Sequence, residues 1–222
     1  ARMPTLALFD LDHTLLSGDS DVLWCDFLMD RGVLDRAAFA PRNAQMEADY
    51  KAGTVDAAAF AGFYVSTLAG RTLAEWEPLR QEFLRDWVVP RIPEAARTLV
   101  KAHQTAGDLV VMTTATNRVL TELTADHFGI DHLLATEVEI DAQGRCTGRA
   151  TGTLNMRAGK VTRLHAWLAD RGQALDAFDS VAYSDSINDL PLLECASRAV
   201  AVNPDDRLAA AAADRGWQVV RF

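Results

Sequence analysis

Two kinds of apolar pattern alternate along the chain. Short runs rich in aliphatic and β-branched residues predict strands at 5–9, 108–114, 133–140, 180–184, 199–202 and 217–222. Segments with helical spacing lie between most of these runs after about residue 90, at 93–107, 117–128, 157–172 and 188–196. Strands that alternate with helices are typical of a parallel sheet, so the pattern predicts an α/β protein.

One segment departs from this alternation towards antiparallel pairing. Thr136 to Ala150 consists of two alternating stretches on either side of Ala142-Gln143-Gly144, a sequence that can turn the chain back. We therefore expect a β-hairpin here.

A second departure is a long insertion after the first strand. Residues 20–93 carry Ala, Trp, Phe and charged residues at helical spacing, with no convincing β pattern. A connection between a strand and a helix is normally much shorter. Breaks near Gly32, Gly53 and Gly70 predict about four helices that sit on the sheet domain. We expect two domains, a core of residues 1–18 and 91–222 and a helical cap of residues 19–90.

Composition and charge restrict the partners. The chain has 222 residues, 49% of them hydrophobic, and a formal net charge of -9, with no run of Lys or Arg. Nucleic acids and anionic membranes are bound through clustered basic residues, so neither partner is expected. A small anionic substrate remains compatible, because a local basic pocket can override the global charge.

The cysteines and the N-terminal pattern indicate a compartment. Cys25, Cys146 and Cys195 are widely spaced and odd in number, which favours neither a disulfide framework nor a zinc site. The apolar run 5–9 is too short for a signal peptide or a membrane span. These features predict a cytoplasmic protein.

Two carboxylates follow the first strand directly. Asp10 and Asp12 are two residues apart, a spacing that puts both side chains on one side of an extended backbone. Adjacent carboxylates repel each other, so the pair requires a divalent cation or a shared proton. The alternative is that the two residues only cap a turn.

Further polar residues recur at the ends of later strands. Thr114 lies where a strand gives way to a helix, a place suited to an anion, or is simply an N-cap. Lys160 lies early in a helix, where a cation does not help the helix dipole, or is a solvated lysine. Asp185 and Asp189 are four residues apart in a turn that enters a helix; hard oxygen ligands favour magnesium, and a capped helix start is the alternative. All of these positions fall at the sheet edge where open α/β sheets bind ligands.

The combination resembles the haloacid dehalogenase superfamily, and within it the phosphoserine-phosphatase-like subfamily that includes histidinol-phosphatase-like members. Its four motifs are matched in order by "DLDHT" from Asp10, Thr114, Lys160 and "DSIND" from Asp185. The resemblance implies a Rossmann-like core and a magnesium-dependent phosphomonoesterase. Asp10 would be the nucleophile that accepts the phosphoryl group, and Asp12 the acid and base.

The same resemblance implies the other roles in the site. Magnesium would be held by Asp10, Asp185 and the backbone carbonyl of Asp12, and Thr114 and Lys160 would bind phosphate. Asp189 would orient Lys160 or a water on the metal. Asn188 would contact phosphate or water.

An insertion after the first motif is the cap that selects the substrate in this subfamily. Asp19 falls where relatives carry a substrate-binding Glu, and it would contact an ammonium or imidazolium group; an N-cap is the alternative. Histidinol phosphate and phosphoserine are the leading substrates. Phosphoserine would also require a cation for its carboxylate, and the sequence does not choose among Arg42, Lys51 and Arg71. Asp19 and Asp21 together favour a cationic amine.

Two positions depart from the family pattern, and other functions stay open. His13 stands where Gly, Ser or Asn is frequent, and Ser184 replaces the usual Gly before Asp185. A dehalogenase would not need the second acid that Asp12 supplies. A receiver domain that uses a phospho-aspartate for signalling, or a binding protein that has lost catalysis, are the remaining alternatives. The sequence does not give the oligomeric state.

Overall fold

The computed structural model describes residues 2–222, which form a mixed α/β fold with a seven-stranded sheet. The strands are β1 Thr5–Phe9, β2 Leu109–Asn117, β3 His132–Ile140, β4 Cys146–Thr151, β5 Asp179–Ser184, β6 Arg198–Val202 and β7 Gln218–Val220. Their order is β4-β3-β2-β1-β5-β6-β7, and every neighbouring pair is parallel except β3 and β4. The predicted α/β class and the antiparallel hairpin are confirmed.

Nine α-helices accompany the sheet in residues 2–222. They are α1 Ser20–Asp30, α2 Arg36–Ala52, α3 Ala57–Ser66, α4 Leu73–Phe83, α5 Glu94–Thr105, α6 Arg118–His127, α7 Ala158–Asp170, α8 Leu190–Cys195 and α9 Asp206–Arg215. The first four lie between β1 and β2, as the sequence predicts. Gly53 ends α2 with a left-handed φ of 73°, a conformation that costs glycine little.

Strand β1 shows how the apolar pattern builds the layers. Leu6 and Leu8 face an apolar cluster that includes residues of α7, α8 and α9. Ala7 and Phe9 face the opposite cluster, which includes residues of α5 and α6 and of the inserted helices α1 and α4. This alternation is the two-residue period of a strand that is buried on both faces.

Among the element boundaries that differ from the predicted ones, two lie beside the predicted site residues. Strand β2 continues past Thr114 to Asn117, with a register shift against β3 between these two residues, and Asn117 then caps α6. Helix α8 begins at Leu190 after a 3-10 turn at Ile187–Asp189, not at 188. Pro191 explains the late start, because proline has no N–H and is tolerated in the first helical turn.

Candidate functional site

The predicted site residues meet at the carboxyl end of the sheet, at its centre. Strand β1 lies between β2 and β5, so the residues that follow these three strands are neighbours. Asp10 follows β1, Thr114 lies near the end of β2, and Asp185 follows β5. The backbone N–H of Asp10 donates to the carbonyl of Tyr183 at 3.0 Å, which continues the pairing with β5 up to the site.

Asp10 and Asp185 converge on one hydroxyl. The Oγ1 atom of Thr14 lies 3.0 Å from Oδ2 of Asp10 and 3.2 Å from Oδ1 of Asp185. Both carboxylates are buried, at 3% and 8% exposure. Burial and the charge of Asp10 raise the pKa of Asp185 well above its usual range. The hydroxyl has a single proton, so it cannot compensate both negative charges.

Lys160 is the cation at this acidic centre. Its Nζ atom donates to Oδ1 of Asp10 at 3.1 Å, to Oδ2 of Asp189 at 2.9 Å and to the carbonyl of Thr113 at 3.1 Å. Burial alone would lower the pKa of Lys160, but the charges of Asp10 and Asp189 raise it overall, so the ammonium group stays charged. A buried lysine with three acceptors is not the solvated surface residue of the alternative interpretation.

Asp189 has a second donor where the sequence departs from the family pattern. The Oγ atom of Ser184 donates to Oδ2 of Asp189 at 2.7 Å. Burial raises the pKa of Asp189, while the Lys160 charge and this hydroxyl oppose the increase. Ser184 therefore adds a hydrogen bond that glycine could not supply, and Oδ2 of Asp189 accepts from both Ser184 and Lys160.

The loop before α7 brings Lys160 to the site, and one glycine makes its course possible. A Cβ atom on Gly159 would lie 1.9 Å from the carbonyl oxygen of Leu154. Asn155 fixes the same loop to the sheet, because its buried Nδ2 donates to Oγ1 of Thr113 and to the carbonyl of Thr114, both at 2.9 Å. The loop can thus approach β2 only with glycine at position 159.

Thr114 is fully buried beside these groups. Its Oγ1 atom accepts the backbone N–H of Thr116 at 3.1 Å, so its own hydroxyl proton remains to be donated. The N-cap of α6 is instead Asn117, whose side chain accepts from Leu120 N–H. The N-cap alternative for Thr114 is therefore wrong, while its contact with phosphate stays a prediction.

A second group of acids begins with Asp12. One carboxylate oxygen of Asp12, Oδ1, accepts the backbone N–H of Ser20 at 2.7 Å. The other, Oδ2, lies 2.8 Å from Oγ1 of Thr116, which is also 3.1 Å from Oδ2 of Asp21. Asp19 caps α1, because its Oδ1 accepts the N–H groups of Asp21 and Val22. Asp12, Asp19 and Asp21 thus surround the start of α1.

Asp19 and Asp21, the two acids at the start of α1, are buried. Burial, followed by the charge of Asp12, raises the pKa of Asp19 to about 8. Burial, with the charges of Asp19 and Asp12, also raises the pKa of Asp21 well above its usual range. Within residues 2–222 no Lys or Arg forms an ion pair with Asp12, Asp19 or Asp21. This part of the site favours a positively charged group.

Asn188 connects the inserted helices to the core. Its Nδ2 atom donates to the carbonyl of Tyr50 at 2.9 Å, and its Oδ1 accepts from Nε of Arg157 at 3.2 Å. Arg157 also reaches the carbonyl of Gly53 at 3.3 Å. The amide nitrogen and the amide oxygen of Asn188 therefore both have partners. The predicted contact with phosphate requires Asn188 to give up one of these partners.

His13 adopts the backbone conformation that explains the family preference at its position. Its φ is 59°, in the left-handed region where glycine and asparagine are favoured and where histidine is also enriched. His13 lines a cleft of about 750 Å³ together with Tyr50, Lys51, Asp185 and Arg207. The cleft reaches Asp185 from the boundary between the inserted helices and the core. A larger cleft, of about 1140 Å³, is lined by none of the predicted site residues.

The donor set fits magnesium. Asp10 and Asp185 present two buried carboxylates that share one hydroxyl proton, that of Thr14. The ligand atoms that they offer are hard oxygens, which magnesium prefers. In the part of the chain that the structure describes, no cluster of three or more His, Cys, Asp or Glu side chains is arranged around a metal position. Magnesium does not require one, since it usually keeps several waters and few carboxylates.

Four residues that contribute to this geometry were missed by sequence reasoning: Thr14, Thr116, Tyr50 and Asn155. Thr14 belongs to the "DLDHT" motif, so its fixed spacing from Asp10 could have indicated it. Burial and the charges of Asp189, Asp10 and Asp185 raise the pKa of Tyr50, which places its phenol in the field of the site. Nothing in the local sequence distinguishes Thr116, Tyr50 or Asn155, because tertiary packing brings them to the carboxylates.

The chain belongs to the haloacid dehalogenase-like hydrolases, since the model of that family matches residues 7–194. The resemblance stated from the motifs is thereby confirmed. A histidinol-phosphatase of Neisseria meningitidis serogroup C is 39% identical over 221 residues, covering 99% of this chain and 100% of that protein. A phosphoserine phosphatase of Mycobacterium tuberculosis is 33% identical, covering 97% of this chain and 70% of that protein.

Solved structures show the same fold. A protein of unknown function from Bordetella pertussis Tohama I has a TM-score of 0.92 and 44% identity, with 99% of each chain covered. A phosphoserine phosphatase solved as an analogue of its phospho-aspartyl intermediate has a TM-score of 0.71 and 18% identity, with 99% of this chain and 94% of the other covered. At that identity the second likeness concerns the fold alone.

Proposed function

We propose that this protein is a magnesium-dependent phosphomonoesterase that hydrolyses a small phosphorylated metabolite through a phosphorylated aspartate. The observation that carries the proposal is the convergence of Asp10, Asp185 and the Lys160 ammonium in one buried site at the carboxyl end of β1. The nucleophile of such a reaction needs a fixed orientation and neutralising charges around it. The phosphatase names of the two relatives support the same reaction class.

The proposed reaction uses two aspartates. The carboxylate of Asp10 attacks phosphorus, and the bond between phosphorus and the substrate's alcohol oxygen breaks. Asp12 gives its proton to that oxygen, so a neutral alcohol leaves. Asp12 then takes a proton from water as the water attacks the phosphorylated Asp10, which releases phosphate and restores both carboxyl groups.

The remaining site residues handle charge. Lys160 and Thr114 bind the phosphoryl oxygens, and Asp189 orients Lys160 through the contact at 2.9 Å. Asp10, Asp185 and the backbone carbonyl of Asp12 would hold magnesium, which supplies charge neutralisation for the phosphoryl group. Asn188 would contact phosphate or water after giving up one of its present partners.

The substrate that the site favours is histidinol phosphate, with residues 19–90 as the selecting cap. Asp19 is a buried acid without an ion-pair partner in residues 2–222, which suits an ammonium or imidazolium group. The cations that a substrate carboxylate would need are engaged elsewhere: Arg42 lies over the ring of Phe63 and Arg71 over that of Trp76. Histidinol phosphate has no carboxylate and needs no such partner.

Phosphoserine is the second candidate. The phosphoserine phosphatase named above supports it, and Lys51 is the one of the three cations considered from the sequence that lines the cleft beside Asp185. Lys51 is paired with Glu47 at 3.5 Å, so it would have to leave that ion pair to reach a carboxylate. This requirement places phosphoserine behind histidinol phosphate.

Hydrolysis of p-nitrophenyl phosphate tests the reaction class. We expect activity with Mg²⁺ that is lost with EDTA, and a loss on the order of 10³-fold or more in Asp10→Asn, because that variant has no nucleophile. Activity that survives Asp10→Asn would overturn the proposed mechanism. A phosphorylated aspartate that persists without turnover would indicate the signalling alternative, and failure to bind Mg²⁺ the binding-protein alternative.

Values of kcat/KM for histidinol phosphate, phosphoserine and neutral sugar phosphates test the substrate. We expect histidinol phosphate to be preferred, and Asp19→Asn to weaken that preference while sparing the sugar phosphates. Equal rates for all substrates would contradict a selecting cap. Cytoplasmic location also stays a proposal, supported by three free cysteines; no helix in residues 2–222 has the length and apolar character needed to cross a membrane.

A further inference from the structure

The carboxylate of Asp12 is held at both of its oxygens by groups outside the "DLDHT" motif. The backbone N–H of Ser20, at the start of α1, donates to Oδ1 at 2.7 Å. The hydroxyl of Thr116, near the end of β2, lies 2.8 Å from Oδ2. Asp12 is only partly buried, so these two contacts, not dense packing, determine its orientation.

Thr116 has a second carboxylate neighbour. Its Oγ1 atom is also 3.1 Å from Oδ2 of Asp21, and Thr116 and Asp21 are 2% and 1% exposed. One hydroxyl proton cannot serve two anions. The other oxygen of Asp21, Oδ1, is buried without any hydrogen-bond partner in residues 2–222. A charged Asp21 would therefore be an uncompensated buried anion.

One arrangement of protons satisfies this group without a charged Asp21. If Asp21 is protonated, its O–H donates to Oγ1 of Thr116, and the Thr116 O–H donates to Oδ2 of Asp12. Burial and the charges of Asp19 and Asp12 raise the pKa of Asp21, which is consistent with this direction. The result is a chain of hydrogen bonds from Asp21 through Thr116 to Asp12.

We propose that Thr116 and Asp21 are positioning residues for Asp12, and that their hydrogen-bond chain aims the Asp12 carboxyl group at the leaving oxygen of the substrate. This inference rests on the proposed phosphatase function, in which Asp12 protonates that oxygen. The end of β2 and the start of α1 then serve acid catalysis, in addition to the phosphate binding and substrate selection proposed above.

The chemical consequence is a dependence on the leaving group. An alkyl phosphate releases a strongly basic alkoxide unless Asp12 protonates it, whereas p-nitrophenol leaves readily without help. Loss of the chain should therefore reduce hydrolysis of alkyl phosphates much more than that of p-nitrophenyl phosphate. The ratio kcat/KM reports the steps through departure of the alcohol, so it excludes the later hydrolysis of phosphorylated Asp10.

The test compares Thr116→Val with wild type on histidinol phosphate, or the best alkyl phosphate found, and on p-nitrophenyl phosphate. We expect kcat/KM for the alkyl substrate to fall about 10- to 100-fold and that for the aryl substrate to fall no more than about threefold. Thr116→Ser, which keeps the hydroxyl, should restore most of the alkyl activity. Thr121→Val is the matched control, because it removes a buried threonine hydroxyl that only donates to the carbonyl of Asn117.

Asp21 is tested in the same way. Asp21→Leu removes the donor and should show the same selective loss, and Asp21→Asn, whose amide N–H can donate to Thr116, should recover most of it. Equal losses on both substrates, or no loss on either, would overturn the proposal. If Thr116→Val does not fold, Thr116→Ala is a second variant without the hydroxyl and is judged by the same ratio.

Failure of this inference is distinguishable from failure of the proposed function. If Asp10→Asn is inactive but kcat/KM of Thr116→Val falls equally on the alkyl and aryl substrates, the phosphatase mechanism stands and the positioning role is wrong. If Asp10→Asn keeps its activity, the mechanism itself is wrong, whatever the Thr116 variants do.

Discussion

Asp19 combines two properties that usually conflict in one residue. It is an N-cap whose Oδ1 accepts two backbone N–H groups of α1, an arrangement that favours the charged form. It is also buried beside Asp12, and these two effects outweigh the hydrogen bonds and raise its pKa to about 8. The folded protein therefore binds a proton at Asp19 that the unfolded chain has already released at neutral pH.

This difference predicts how stability depends on pH. Between the ordinary value of 3.8 and about 8 the folded state holds the extra proton, so the free energy of unfolding falls as pH rises through that window. Asp19→Asn retains a capping side chain but cannot titrate. Between pH 5 and pH 8 we expect the free energy of unfolding of wild type to fall by at least about 1 kcal/mol more than that of Asp19→Asn. Urea unfolding in the presence of EDTA measures the difference.

A second aspartate cap provides the control for this measurement. Asp35 caps α2 through Ala38 N–H and is exposed, so Asp35→Asn should follow the wild-type pH dependence. Identical slopes for wild type and Asp19→Asn would show that Asp19 is charged in the folded protein throughout the window.

At the scale of elements, the approach of α7 to β2 controls the position of Lys160. The preceding loop passes so close to Gly159 that there is no space for a side chain, and Asn155 ties the loop to Thr113 and Thr114. Lys160 is the next residue, so any shift of the loop moves the ammonium group relative to Asp10 and Asp189.

Gly159→Ala is expected to be disruptive although alanine is the better helix former. The new Cβ would lie 1.9 Å from a backbone oxygen, so the loop must move, and Lys160 must move with it. We expect kcat/KM for p-nitrophenyl phosphate to fall by about 10-fold or more and the melting temperature to decrease.

The chain contains a matched substitution for comparison. Gly62 lies within α3, and a Cβ there would meet nothing within 4 Å. Gly62→Ala should keep the activity and leave stability unchanged or higher by about 0.5–1 kcal/mol, the difference in helix propensity. If both alanine variants behaved alike, the close approach at Gly159 would have no effect on the site.

At the scale of the whole molecule, the inserted helices share an apolar cluster with the sheet. Trp24 of α1 and Phe83 of α4 belong to the same cluster as Phe9 and Met112 of the central strands. A smaller cluster, with Phe60 and Tyr64 of α3, includes Met156 from the loop before α7. The proposed cap thus shares one apolar cluster with the core, and the cluster within its own helices also reaches the core through Met156.

Such continuity predicts a single unfolding transition. Trp24, Trp76 and Trp87 lie in the inserted segment, and Trp167 and Trp217 lie in the core segment. We expect tryptophan fluorescence and far-UV circular dichroism to give the same midpoint in urea, because one cooperative unit contains all five residues. Two resolved transitions would indicate that residues 19–90 unfold independently.

The periodic parts of the chain were predictable because their cause is local. Leu6 and Leu8 alternate with Ala7 and Phe9, and that alternation by itself indicates a strand with two buried faces. Gly53 and Gly144 marked turns through their backbone freedom. The boundaries of β2 and α8 were less accurate, because a register shift against β3 and the position of Pro191 determine them.

By itself, the sequence determined the α/β class and the insertion after β1, and it predicted Asp10, Asp12, Lys160, Asp185 and Asp189 as site residues. Short-range spacing and motif order are sufficient for these features. Only the tertiary structure decided that Thr116 joins Asp12 to Asp21, that Ser184 supports Asp189 and that Asn188 contacts Tyr50. Each of these contacts depends on how strands, loops and inserted helices meet at one edge of the sheet, and no local pattern encodes a distance between elements far apart in the chain.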